Sequence, residues 1–170
     1  MLHLLSRLPL ARYLLQLLSC DETLLSTPMT CWQLFASVGE KVNFVIGSSL
    51  DVPRACLRAN AIVGEGDVAF LSFNTDMLTE MCYGLSRGDS TRLVEAYGRI
   101  GVLQTDPFRR LDQSGVGALL KIAKTLIRKS NRFIRVGVCG EHSGDPASIE
   151  FFDSLGVDHV SAMQWSYEVH

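Results

Sequence analysis

The stretch from Phe133 to Pro146, FIRVGVCGEHSGDP, constrains the possible folds of this chain more than any other. Ile134, Val136 and Val138 alternate with Arg135, Gly137 and Cys139, and β-branched enrichment over so short a run predicts a strand rather than a helix. The strand stops at Cys139 and gives way to the polar turn Gly140, Glu141, His142, Ser143 and Gly144. Asp145 suits an N-cap and Pro146 a first helical position, which predicts a helix packing through Ile149, Phe152 and Leu155 and closed by Gly156. Asp158 to Met163 reads as the next strand. In such a βαβ unit the polar groups at the C-terminal end of a strand face the ligand site, so Cys139, with Gly137 and Gly140 on either side, is a candidate functional residue.

The same rhythm runs through the preceding residues. Val42, Phe44, Val45 and Ile46 predict a buried strand ending at Gly47, Ser48 and Ser49. Asp51 then precedes a helix from Pro53 to about Val63, with Ala55, Ala59 and Ile62 inward. Val68 to Phe73 predicts a third strand, stopping at Asn74, Thr75 and Asp76 before a helix from Leu78 to about Tyr83. A longer connection follows, with a short helix at Thr91 to Tyr97 and turn chemistry around Asp106 and Pro107. Beyond it, Val116, Leu119, Leu120, Ala123, Leu126 and Ile127 form one helical stripe, leaving Lys121, Lys124, Arg128 and Lys129 to a solvated face near the end of the dipole that favours cations. Strands alternating with helices imply an α/β fold with a parallel sheet. Four such strands make about half of a (β/α)8 TIM barrel, whose eight strands take about 250 residues. Half a barrel leaves strand edges uncovered, so a homo-oligomer or completion by a longer chain is expected.

Composition narrows the function classes. A chain of 170 residues, 47% hydrophobic and 20% charged, can bury one ordinary core. Its net charge of −2 offers no basic surface to nucleic acid. The five cysteines form no CxxC pair and read as free thiols, with Cys20, Cys31, Cys56 and Cys82 as small buried apolar residues. Residues 1–40 read as a leucine-rich helical segment ahead of the βα units at 41–170, with a second helix at Thr27 to Gly39. Arg7 and Arg12 with no acid before Asp21 also fit an organelle leader over residues 1–20, whereas Pro9 and Arg12 break any membrane-spanning run. The expected location is cytoplasmic, with organelle targeting as the alternative.

The runs IGSSLDVPRACL, FLSFNTDMLTEMCYGLSRGD, DPFRRLDQSGVGALLKIA and VGVCGEHSGDPASIEFFDSLGVDHVS resemble, in order and spacing, the C-terminal phosphoenolpyruvate/pyruvate barrel of pyruvate phosphate dikinase. The resemblance implies that residues 41–170 are the C-terminal βα units of that barrel, and that pyruvate or phosphoenolpyruvate is the ligand. It also implies a Mg²⁺ ion held by two carboxylates, and a cysteine acting on the methylene carbon of the enolate. A hard cation of this kind prefers oxygen ligands and stabilises enolate charge. Cys139 matches the acid/base cysteine, with Gly140 beside the substrate. Asp51 stands at a metal-binding glutamate. Asn74, Thr75 and Asp76 fall in the substrate-binding run that reads Gly-Thr-Asn-Asp in the family. In this chain Asn74 replaces the glycine, Asp76 the asparagine, and Met77 the second metal carboxylate, and a thioether is a poor ligand for Mg²⁺.

These readings leave three functional expectations. One is a phosphotransferase domain of the phosphoenolpyruvate-utilising kind. The second is a degenerate relative that keeps part of the fold, with at most weak ligand binding or a non-catalytic interaction role. The third is a cysteine nucleophile paired with His142, which needs an imidazole within hydrogen-bond reach of the sulfur. Glu141 and His142 would otherwise orient the turn or satisfy its backbone.

Overall fold

The computed structural model describes residues 13–18, 44–65, 68–131 and 133–161. Five strands form one sheet in sequential order: β1 (Tyr13–Leu18), β2 (Phe44–Leu50), β3 (Phe70–Asn74), β4 (Arg135–Cys139) and β5 (His159–Ser161). Every neighbouring pair is parallel. Helices α1 (Pro53–Leu57) and α2 (Ala59–Glu65) follow β2, and α3 (Thr75–Tyr83), α4 (Arg87–Arg99) and α5 (Val116–Ser130) follow β3. A 3-10 turn at Glu141–Gly144 and helix α6 (Pro146–Leu155) connect β4 to β5. This is the expected α/β architecture, a parallel βα sheet compatible with part of a (β/α)8 barrel.

Period-2 alternation assigns the two sheet faces. Leu50, Leu71, Phe73, Val136 and Val138 are buried with Leu78, Leu120, Ala123, Ile127 and Phe152 in a single core. Removing each such side chain from water is worth about 1.5–3 kcal/mol. The opposite face relies on close fits between large and absent side chains. A Cβ on Gly47 would fall within the ring of its register partner Phe70, and one on Gly137 within the ring of His159.

Four expectations need correction. Tyr13–Leu18, read as helical, is a strand parallel to β2: leucines tolerate either state, and the unpaired edge of β2 rewards extension over helix propensity. The rest of residues 1–40, including the helix expected at Thr27 to Gly39 and the cysteines Cys20 and Cys31, lies outside the described residues. Strand β2 runs through Gly47, Ser48 and Ser49, read as its end, to Leu50, because Ser48 and Ser49 are buried and paired with Leu71 and Ser72. In α6 Phe152 is fully buried and Leu155 packs against the core as expected, but Ile149 is 42% exposed, and Ser148 and Phe151 are buried instead. Cys82, read as buried, is exposed.

The predicted cap of α6 is present. Asp145 accepts from Ser148 N–H at 2.9 Å and Ser148 Oγ–H at 2.7 Å, and Gly156 closes the helix at φ 71°. Burial pushes the Asp145 carboxyl up, but the Ser148 donors and the nearby Arg110 guanidinium outweigh it and hold the carboxyl below its ordinary value. A depressed folded-state value means that the stabilisation is present above the unfolded carboxylate range and is lost as pH falls through the folded value. Asp145→Ala is therefore expected to cost about 1 kcal/mol at neutral pH. In urea unfolding the gap to wild type should narrow as the buffer is taken down through the carboxylate range; a gap independent of pH would contradict this.

Candidate functional site at the C-terminal ends of the strands

Because the strands are parallel and in register, their C-terminal ends collect on one side of the sheet. Leu50 pairs with Phe73, Asn74 with Cys139, and Cys139 with Ser161, which brings Asp51, Asn74 to Asp76 and Cys139 to Glu141 to the same end.

Cys139 is half-buried, and Ser72 Oγ donates to its sulfur at 3.6 Å. Ser72 belongs to the site although sequence reading passed over it. The signal was present, since Ser72 lies two residues before Asn74 and so shares its sheet face. Asp51 is buried and accepts from Ser49 Oγ.

The run after β3 is committed to internal contacts. Asn74 caps α3, its Oδ1 accepting from Met77 N–H at 3.3 Å. Thr75 is fully buried and donates to the Cys139 carbonyl at 3.1 Å. Asp76 accepts from Glu141 N–H at 3.2 and 3.1 Å and pairs with Arg87 at 3.7 Å. Arg87 also binds the Glu141 carboxylate, and its own N–H donates to Glu80 at 2.8 Å. Gly140 adopts φ 127° and ψ 169°, and a Cβ there would collide with Thr75 Oγ1. Thr75 and Asp76 thus grip the backbone at the thiol and just beyond it, and Arg87 holds the Glu141 side chain. No periodicity announced Arg87, since it joins the site through tertiary contact alone.

His142 is fully buried, with Nδ1 2.9 Å from Thr75 Oγ1 and Nε2 2.8 Å from the Pro107 carbonyl oxygen. Both ring nitrogens are engaged there, which leaves neither for the sulfur. The expected Cys139–His142 nucleophile pair is not assembled, because the turn directs the imidazole into the protein.

The residues at the metal position do not suit Mg²⁺. Of the two carboxylates that the resemblance implies, Asp51 stands at one position and Met77 at the other, while the adjacent Asp76 is engaged by the Glu141 amide and Arg87. Among the described residues, no three His, Cys, Asp or Glu side chains converge as a ligand set.

Comparison with known proteins matches residues 27–168 to the family described as "PEP-utilising enzyme, PEP-binding domain". The chain is 44% identical over 128 residues to "Pyruvate, phosphate dikinase, chloroplastic" of Flaveria trinervia, covering 75% of this chain and 13% of that protein. It is 43% identical over 129 residues to "Pyruvate, phosphate dikinase 2" of Zea mays, covering 76% of this chain and 14% of that protein. The chain thus spans about one-seventh or less of the length of these relatives.

Proposed function

Since the chain belongs to the PEP-binding domain family of PEP-utilising enzymes, similar to pyruvate phosphate dikinase, we propose that it carries the thiol side of a pyruvate/phosphoenolpyruvate site whose metal side is lost, and that by itself it does not turn substrate over. The observation that carries this reading is the internal commitment of Asn74, Thr75 and Asp76, followed by Met77 where a carboxylate is required. Bound Mg²⁺ would supply charge stabilisation to an enolate; the residues present do not fit it, and no step through it is assigned.

The chain's own contribution is the placement of one proton donor. Ser72 fixes the sulfur of Cys139, and the Thr75 bond fixes the carbonyl of the same residue. A thiol can exchange a proton with carbon close to neutral pH, provided that the carbanion is stabilised. Without that stabilisation, proton exchange between the pyruvate methyl group and heavy water should run at the rate of buffer alone, followed by proton NMR. Exchange above the buffer rate that disappears in Cys139→Ser would overturn the claim of inactivity and retain that of the thiol.

Association belongs to the same proposal. All three residues of β5 are exposed, and a second copy or a longer chain would cover this margin of the sheet. Light scattering of the isolated chain should give a mass above that of one protomer, whereas a sharply melting monomer would contradict it. The names of the relatives from Flaveria and Arabidopsis, which include "chloroplastic", favour an organelle location over the cytoplasmic expectation. No helix among the described residues is long and apolar enough to cross a membrane.

A further inference from the structure

Three hydrogen bonds meet around the buried ring of His142. Nε2 faces the Pro107 carbonyl oxygen at 2.8 Å, Nδ1 faces Thr75 Oγ1 at 2.9 Å, and Thr75 Oγ1 donates to the Cys139 carbonyl at 3.1 Å. Carbonyl oxygens only accept, and threonine has one hydroxyl hydrogen. With that hydrogen directed to Cys139, Thr75 Oγ1 can only accept from Nδ1, while Nε2 must donate to Pro107. All three bonds form together only when both ring nitrogens carry hydrogen.

From this proton count and the adjacent carboxylate, we infer that His142 is held as an imidazolium with Asp76 as its counter-ion, a charged tie that positions the Cys139–Glu141 turn. Asp76 Oδ1 lies 3.6 Å from Nδ1. A buried cation persists only when it is paired and its donors are satisfied, and both conditions are met here. The substitution of Asp76 for asparagine thereby acquires a physical role, since the neutral residue could accept a hydrogen bond but could not balance the charge.

The surrounding charges agree with this assignment. On α4, Arg87 is 3.7 Å from Asp76 and also binds Glu141 of the turn, so it shares both carboxylates rather than facing the imidazolium alone. On the segment carrying Pro107, Asp106 and Arg109 pair at 4.0 Å, and Arg110 pairs with Asp145 at 3.4 Å. From β4, Cys139 presents its carbonyl to the network. Loss of one ring proton would forfeit one of the three bonds, releasing either the Pro107 segment or the Thr75 grip on Cys139. The tie therefore positions the thiol-bearing turn whether or not Cys139 transfers protons to substrate.

Long-range proton–nitrogen NMR of the ¹⁵N-labelled chain reads the ring directly. The four histidines are His3, His142, His159 and His170, so replacing His3, His159 and His170 by glutamine identifies the remaining signal. At neutral pH, His142 should show two protonated ring nitrogens, and Asp76→Asn should convert one to the bare-nitrogen pattern while cooperative melting persists. A merely structural contact would not move this signature. One bare nitrogen in the wild-type ring overturns the proposal even if the Asp76→Asn chain does not fold. An unchanged spectrum in a folded Asp76→Asn chain overturns the role of Asp76.

Discussion

Gly140→Ala is expected to destabilise the chain by about 3 kcal/mol, from backbone strain and overpacking together. At φ 127° and ψ 169° the backbone occupies a region essentially restricted to glycine. The added Cβ would also strike Thr75 Oγ1 and come within 3.2 Å of the Asp76 backbone nitrogen. Relief requires the turn to draw away from α3, which breaks the Thr75 bond to Cys139 and the Asp76 bond to Glu141. The control is Gly84→Ala. Gly84 ends α3 at φ 63° with nothing within 4 Å of an added Cβ, so only the left-handed backbone penalty of about 1 kcal/mol applies. Urea unfolding of both variants checks the comparison. If Gly140→Ala cost no more than Gly84→Ala, the close approach between the thiol turn and α3 would not be a source of stability.

The alternating strands and helices were legible in the sequence because each element carries its own local signal. Val136 and Val138 alternate with Gly137 and Cys139 in β4, Asp145 and Pro146 start α6, and Gly156 ends it. The α5 stripe was equally clear, with Val116, Leu120, Ala123 and Ile127 all buried. The sheet edge at Tyr13–Leu18 was not legible, since its leucines suit either a helix or a strand and the choice depends on pairing with β2. Gly47 misled for a related reason. A glycine there reads as a strand end, yet it is the space that the Phe70 ring fills inside a continuous strand.

At the candidate site, Cys139, Gly140 and the run Asn74 to Asp76 were singled out because they stand at the ends of strands and in runs that resemble the family's. Their connections were not, because a sequence names neither the partner of a hydroxyl nor the direction of a turn. Ser72 reaches the sulfur from the neighbouring strand, and Arg87 reaches both carboxylates from another helix. His142 lies three residues from Cys139, a spacing that invited a catalytic pair, and the 3-10 turn aims its ring away from that role.

The central claim is that the metal side of this site is lost at Met77 and Asp76 while the thiol side is kept. The direct test is thermal unfolding with millimolar Mg²⁺ and oxalate, a mimic of the enolate, on wild type and on the Asp76→Asn/Met77→Asp double variant. The double variant supplies a second oxygen ligand, and its asparagine can still accept the Glu141 amide. A ligand at a hundredfold excess over its Kd adds about 2.7 kcal/mol to the folded state. The account predicts no Mg²⁺-dependent stabilisation of wild type and a gain of up to that size in the double variant. Stabilisation of wild type by that amount, dependent on both Mg²⁺ and oxalate, would contradict it, since the carboxylates already present would then suffice.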